Sequence, residues 1–218
     1  MSKSRIEKIK CPNCGKENDF IIWESVNTKL NPELKKDFLT RDIFKFECPE
    51  CKESTYFYHD FLYHEMEGNL MVYLAHDEKD QKKTLAMFEQ KDDKLIQQLL
   101  ETITIRVVAD ANDLTEKIFA HDGHRDDRII ELMKVLLYVT LKNEKKDWAF
   151  DSLRYTYENN EEQFLIFNQG KPINAIAFAT DLYESIKSKY GDKLDKESKD
   201  IRIFDTKWAM SFWDSVEK

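Results

Sequence analysis

The sequence predicts an α+β protein: an N-terminal zinc-ribbon-like antiparallel lobe with a short inserted helix, then an α/β lobe holding a buried helix and a three-strand meander. Three observations predict it. Two CPxC knuckles, CPNC at 11–14 and CPEC at 48–51, lie between short segments rich in aromatic and β-branched residues. Residues 127–143 carry apolar side chains over well over half of a helical circumference, as a core helix does. The segments LRYTY, QFLIF and INAIAFA are separated by Asn159-Asn160 and by Asn168-Gln169-Gly170, which are turn formers.

Along the chain, residues 19–28 (DFIIWESVNT) read as a strand. Asn31 is placed to cap a short helix, Pro32 suits its first turn, and Leu34 and Phe38 lie one turn apart. DIFKFEC (42–48) enters the second knuckle as a strand, STYFYHDF (54–61) leaves it as another, and Gly68-Asn69 opens a third over 68–76. Residues 77–93 are strongly charged around Leu85, Met87 and Phe88 and mark a boundary. The expected organisation is a zinc-ribbon-like lobe over 1–77, a charged, partly helical connector over 78–102, and an α+β lobe over 103–218. TITIRVVAD reads as a strand. A helix over 111–123 follows, with Asn112 or Asp113 as cap, Asp113 and Glu116 at capping-box spacing, and Gly123 as its stop. Asp126 and Asp127 open the buried helix, where carboxylates cap free amides and complement the helix dipole. Helices at 181–189, with Asp181 and Glu184 again at capping-box spacing, and at 206–216 close the chain.

With 35% charged and 41% hydrophobic residues, the 218-residue chain has the composition of a folded protein of one or two domains. The basic start is followed by no apolar stretch, and Glu131 and Lys134 interrupt the densest apolar run, so neither a secretion signal nor a membrane span is expected. All four cysteines sit in the knuckles, which suits a reducing cytoplasm. A net charge of −8 argues against a general nucleic-acid binder. Lys3, Arg5, Lys8, Lys10 and Lys16 run the other way, and are expected to offset the negative charge of a metal held by four thiolates.

A CPxC turn presents two sulfurs from one tight loop, and two such loops supply the tetrahedral set that Zn(II) accepts. Cys11, Cys14, Cys48 and Cys51 are therefore the expected ligands of a structural Zn(II). A catalytic zinc needs an open position, which four cysteines do not leave. The gap of 33 residues between Cys14 and Cys48 exceeds the usual ribbon spacing, and the inserted helix accounts for the surplus. Lys52 stands after the second knuckle where Gly15 follows the first, which weakens the internal symmetry. The rivals are thiol–disulfide chemistry, which needs one pair at a helix N-terminus rather than two between strands, and an iron or iron–sulfur occupant.

CPNCG, PELKKDFL, FKFECPEC, FLYHEMEGNLMVYL and GHRDDRIIELMKVL together resemble the CpXC-domain proteins of bacteria and archaea, over residues 11–141 and most specifically in the first 66. The resemblance implies a zinc-ribbon-like lobe with an attached α/β part, and no defined activity.

Two further segments carry chemistry. HDFLYHEMEG holds His59, Asp60, His64, Glu65 and Glu67, but His59 and His64 fall on opposite faces of a strand, and Tyr63 and His64 bracing the sheet by hydrogen bonds is the simpler role. HDGHRDDR holds His121 and Asp126 beside a helix start, where aspartates serve as caps. No P-loop, GxGxxG or Ser/His/Asp order is present. The expected function is recognition of another macromolecule, a protein. The alternatives are a nucleic-acid-associated module using the basic N-terminus, and an enzyme using His59/His64 or His121/Asp126.

Overall fold

A computed structural model of the chain describes residues 2–88, 94–145, 147–198 and 202–216. The charged boundary segment lies partly outside the described residues, at 89–93. Seven helices and ten strands in three sheets make the described chain α+β, and no described helix is long and apolar enough to cross a membrane. The chain divides into two compact units, Met1–Thr115 and Glu116–Lys218.

The first unit is built on a mixed five-stranded sheet. Lys3–Lys10 (β1) pairs antiparallel with Glu17–Asn27 (β2). β2 is joined in parallel by Phe61–Glu65 (β5), which pairs antiparallel with Leu70–Leu74 (β6). A parallel neighbour requires a long crossover, and the one from β2 to β5 carries the helix Glu33–Leu39 (α1), a 3-10 turn at Asp42–Phe44, and the two-stranded ladder Lys45–Glu47 (β3) with Ser54–Tyr56 (β4). A second crossover, through the helices Glu78–Phe88 (α2) and Lys94–Thr102 (α3), returns Thr104–Val108 (β7) parallel to β6. Residues 104–108 thus complete the first sheet, whereas the sequence assigns them to the last segment. The sheet is mixed and not purely antiparallel because both β2–β5 and β6–β7 pair in parallel.

Alternation sets the core. Phe61 and Tyr63 of β5 and Leu70, Val72 and Leu74 of β6 are buried. Phe38 of α1 stacks on Phe61 at 5.2 Å and lies 5.6 Å from Tyr63. Leu34 and Phe38 are buried as their spacing predicts, but Asn31 makes no side-chain cap. Pro32 holds the cap position, and the Asn31 amide donates to Glu33 at 2.9 Å. Residues 42–44 are a 3-10 turn and not strand, because Arg41 before them takes a left-handed φ of 67° that breaks an extended run.

In the second unit the helix Asp127–Glu144 (α5) packs on the antiparallel sheet of Ser152–Glu158 (β8), Glu161–Asn168 (β9) and Lys171–Ala177 (β10), ordered β10-β9-β8. Both hairpins turn in two residues with left-handed φ, Asn159-Asn160 and Gln169-Gly170, which matches the strand twist. Thr180–Glu197 (α6) and Thr206–Val216 (α7) also pack on α5, and the Trp213 indole donates to Leu132 O at 3.2 Å. Only the first half of α5, Ile129 to Lys134, is buried; Tyr138 and Val139 are exposed. The unit boundary falls within the helix Ala111–Asp122 (α4), which Asp110 caps by accepting from the Asn112 and Asp113 amides at 2.7 and 3.0 Å. The capping-box residues fill other places: Glu116 is buried, and α6 begins without a side-chain cap.

Candidate metal centre

Each knuckle is the turn of an antiparallel ladder. Lys10 pairs with Glu17 across the first and Glu47 with Ser54 across the second. The hydrogen bonds repeat as well. Cys11 N–H donates to Lys16 O (2.8 Å) and Gly15 N–H to Cys11 O (2.9 Å), as Cys48 N–H does to Glu53 O (2.9 Å) and Lys52 N–H to Cys48 O (2.9 Å). Gly15 and Lys52 both take left-handed backbone, φ 72° and 62°. The turn is therefore duplicated despite the lysine, at the strain an L side chain brings to that conformation.

The four sulfurs converge to within 4.8 Å of one another. Cys11 and Cys51 are 3.7 Å apart and Cys14 and Cys48 3.6 Å. A tetrahedron with Zn–S bonds of ~2.3 Å has S···S edges of ~3.8 Å, whereas a disulfide needs ~2.0 Å. The separations fit a cation held by four thiolates, and all four cysteines are free. Cys11 and Cys48 are buried with Phe46, and Ile9, Phe20 and Phe57 pack against them. Asn13 Nδ2 donates to Cys51 Sγ (3.6 Å) and Asn18 Nδ2 to Cys48 Sγ (3.8 Å), which fixes the sulfurs in place and favours thiolates. The Glu53 amide chiefly brings the Cys51 thiol down to about 7. Cys14 goes the other way, up to about 12: the Lys16 amide lowers it, but desolvation and the three neighbouring sulfurs outweigh that. Four thiolates this close repel one another, and a cation at their centre would compensate that charge.

Two of the basic N-terminal residues pair with carboxylates of their own ladder. Lys3 pairs with Glu24 at 2.5 Å, and Arg5 pairs with Glu7 at 2.5 Å and with Glu24. Both charges are thus neutralised within the β1–β2 ladder.

Among the described residues, the histidine segments form no metal-holding group. His59 turns both ring nitrogens to backbone carbonyls, Nε2 to Trp23 O (2.7 Å) and Nδ1 to Phe57 O (3.2 Å). His64 lies in β5 between Asn27 and Met71, and burial lowers its pKa. Tyr63 makes a hydrogen bond within its own strand. Its hydroxyl donates to Glu65 (2.7 Å), which also accepts from Lys35 at 3.2 and 3.1 Å, tying β5 to α1. His121 lies in the last turn of α4, while the Asp126 carboxylate accepts from the Arg128 amide (2.9 Å) and guanidinium (2.6 Å). Asp126 is the cap of α5; Asp127 is buried and pairs with Lys117 at 3.3 Å.

Asp127 belongs to a buried ionic group. Lys117 Nζ and Lys134 Nζ both donate to Glu131 Oε1 at 2.9 Å, and Lys134 also donates to Glu116 Oε2 at 2.9 Å. Glu116 Oε1 accepts from the Tyr155 amide at 2.7 Å. Burial raises the Glu116 carboxyl. It would raise Glu131 too, but Lys117 and Lys134 outweigh it and hold that carboxyl low. The only sequence signal for this group is Glu131 and Lys134 interrupting an apolar helix.

In the first unit, a shallow groove of about 380 Å³ runs between β2 and α1, lined by Asp19, Ile21, Trp23, Leu34, Asp37 and Asp42 among others. Asp19, Ile21 and Trp23 alternate along β2, a period-two pattern legible in the sequence.

Two cysteine-bearing turns, one on the mixed sheet and one on the β3–β4 ladder, with one helix inserted between them, define an α+β protein with a tetracysteine site able to hold a metal ion. The chain belongs to the CpXC protein family, whose model matches residues 9–134. That span takes in both knuckles, the inserted helix and the first half of α5. No curated protein and no solved structure matches the chain.

Proposed function

We propose that Zn(II) is the ion held by Cys11, Cys14, Cys48 and Cys51, that it is structural, and that the unit it braces recognises another protein in a reducing, cytoplasmic setting. The observation that carries the metal reading is the pair of cross-knuckle separations, 3.7 and 3.6 Å, at the edge length of a zinc tetrathiolate. Four sulfurs complete the tetrahedron, so substrate has no coordination position. Recognition is supported by the open groove beside α1 and by exposed apolar groups on the same unit: Ile6 and Ile21 are cross-strand neighbours, and Tyr56 stacks on Tyr58 at 6.0 Å. Neutralisation of Lys3 and Arg5 by Glu24 weighs against a nucleic-acid surface on β1. An enzyme built on His59/His64 or His121/Asp126 has no assembled constellation among the described residues.

Photo-crosslinking from position 21 in a cell extract, with zinc-loaded chain and with Cys48→Ser, tests the reading. Nuclease-resistant protein adducts that disappear in the Cys48→Ser chain are expected. Adducts with nucleic acid, or adducts indifferent to the metal site, would overturn it.

A further inference from the structure

We infer that the groove between β2 and α1 receives a basic segment of a partner protein, one presenting a lysine or arginine next to an aliphatic or aromatic residue. The inference rests on the recognition reading above and specifies its partner.

Three elements each contribute one carboxylate to the groove: Asp19 from β2, Asp37 from α1 and Asp42 from the 3-10 turn. All three are exposed. Asp42 accepts from the Thr40 hydroxyl at 2.7 Å. Among the described residues, no lysine, arginine or histidine nitrogen lies within 4.0 Å of these carboxylates, although Lys8 stands directly opposite Asp19 in the ladder. Some acidic groups of this unit, Glu24, Glu65 and Asp60, do have a cationic or histidine partner.

The floor is apolar. Leu34 is buried beneath it, Trp23 is half-buried, and Ile21 keeps 52% of its surface exposed. An apolar floor with an acidic rim matches a side chain that is itself apolar in its stem and cationic at its tip, and lysine and arginine have that construction. The Trp23 indole adds a face on which such a cation can rest. A volume of about 380 Å³ is at the small end for ligand sites, enough for one or two side chains and not for a folded element. A phosphate backbone would meet three carboxylates, so charge complementarity selects a basic polypeptide.

Fluorescence anisotropy on the zinc-loaded full chain tests this with two labelled synthetic peptides, one alternating lysine with leucine and one with each lysine replaced by glutamate. The lysine peptide should bind, and bind less tightly as salt rises; the glutamate peptide should not. The triple variant Asp19→Asn/Asp37→Asn/Asp42→Asn should weaken binding about tenfold, the combined worth of three exposed ion pairs. Ile21→Ser should weaken it independently while leaving the circular dichroism unchanged. Equal binding of the two peptides, tighter binding of a single-stranded RNA oligomer that the lysine peptide displaces, or wild-type affinity in the triple variant would overturn the basic-segment inference. If the lysine peptide fails to bind while metal-dependent crosslinks from position 21 persist, the inference falls and the recognition reading stands. Loss of both removes both.

Discussion

Replacing Lys134 by Met will destabilise the second unit by about 3–5 kcal/mol, the usual cost of breaking a buried ion pair from one side. Lys134 Nζ lies 2.9 Å from both Glu116 and Glu131, and the three side chains retain 9%, 3% and 3% of their surface. Burial alone would drive this amine toward neutrality, but the two carboxylates outweigh it and hold the proton more tightly than on a free lysine. Met fills the space of the stem and carries no charge. Glu131 then keeps Lys117 at 2.9 Å, while Glu116 keeps only the Tyr155 amide and Arg154 at 3.8 Å. One buried carboxylate is left without a close cation. An exposed pair such as Lys193–Glu197 contributes about 0–1 kcal/mol when broken, so the two outcomes are easily separated. Urea unfolding read by tryptophan emission is the assay. In a Trp23→Phe background the signal comes from Trp148, Trp208 and Trp213, all in the second unit. Adding Glu116→Gln removes the stranded charge and should restore about 1–2 kcal/mol. A cost below about 1 kcal/mol for Lys134→Met, or no recovery in the double variant, would refute the reasoning.

Three other outcomes follow from particular contacts. A Cβ on Gly123 would come within 2.6 Å of the Tyr155 hydroxyl, so Gly123→Ala should cost about 1–3 kcal/mol by overpacking, measured by the same unfolding curve. At the knuckles, Lys52→Gly relieves a left-handed side chain and should leave stability unchanged or raised by up to about 1 kcal/mol, whereas Gly15→Ala, where the nearest side-chain atom is 3.8 Å away, should lower it by about 1 kcal/mol through backbone strain alone. Glu162 accepts two bonds from Arg125 at 2.7 Å and one from Tyr155 at 2.6 Å, and Arg125 chiefly holds its carboxyl below the ordinary range. Its contribution is therefore present above the unfolded pKa of about 4.3 and is lost as pH falls through the folded value. Glu162→Gln should cost about 2 kcal/mol near pH 7, and the difference from the natural chain should shrink steadily below about pH 4. A pH-independent difference would contradict the pairing.

Local chemistry made much of this legible. The knuckle cysteines, the Leu34/Phe38 face of α1, the two-residue turns of the meander and the span of α7 all depend on neighbours close in sequence. What escaped depends on partners far along the chain. β1 shows no strand signal because its basic side chains are exposed, and its charges make sense only against Glu24 of β2. The sequence places residues 104–108 in the last segment, because the choice between closing one sheet and opening another is made by a crossover. The cap of α4 is Asp110, two or three residues before the expected Asn112 or Asp113, whereas Asp126 caps α5 as its sequence indicates. The buried ionic group was least visible, since Glu116, Lys117, Glu131 and Lys134 look like ordinary surface residues until α4 and α5 pack.

Metal content tests the central claim most directly. Protein prepared under reducing conditions should carry one Zn(II) per chain, and Cys48→Ser should lose it. Binding free energies on the order of 10–16 kcal/mol for structural zinc near neutral pH imply that chelation disorders the knuckles and the ladders that hold them. A preparation with no stoichiometric metal, or one in which Cys11 and Cys14 are joined as a stable disulfide, would contradict the account.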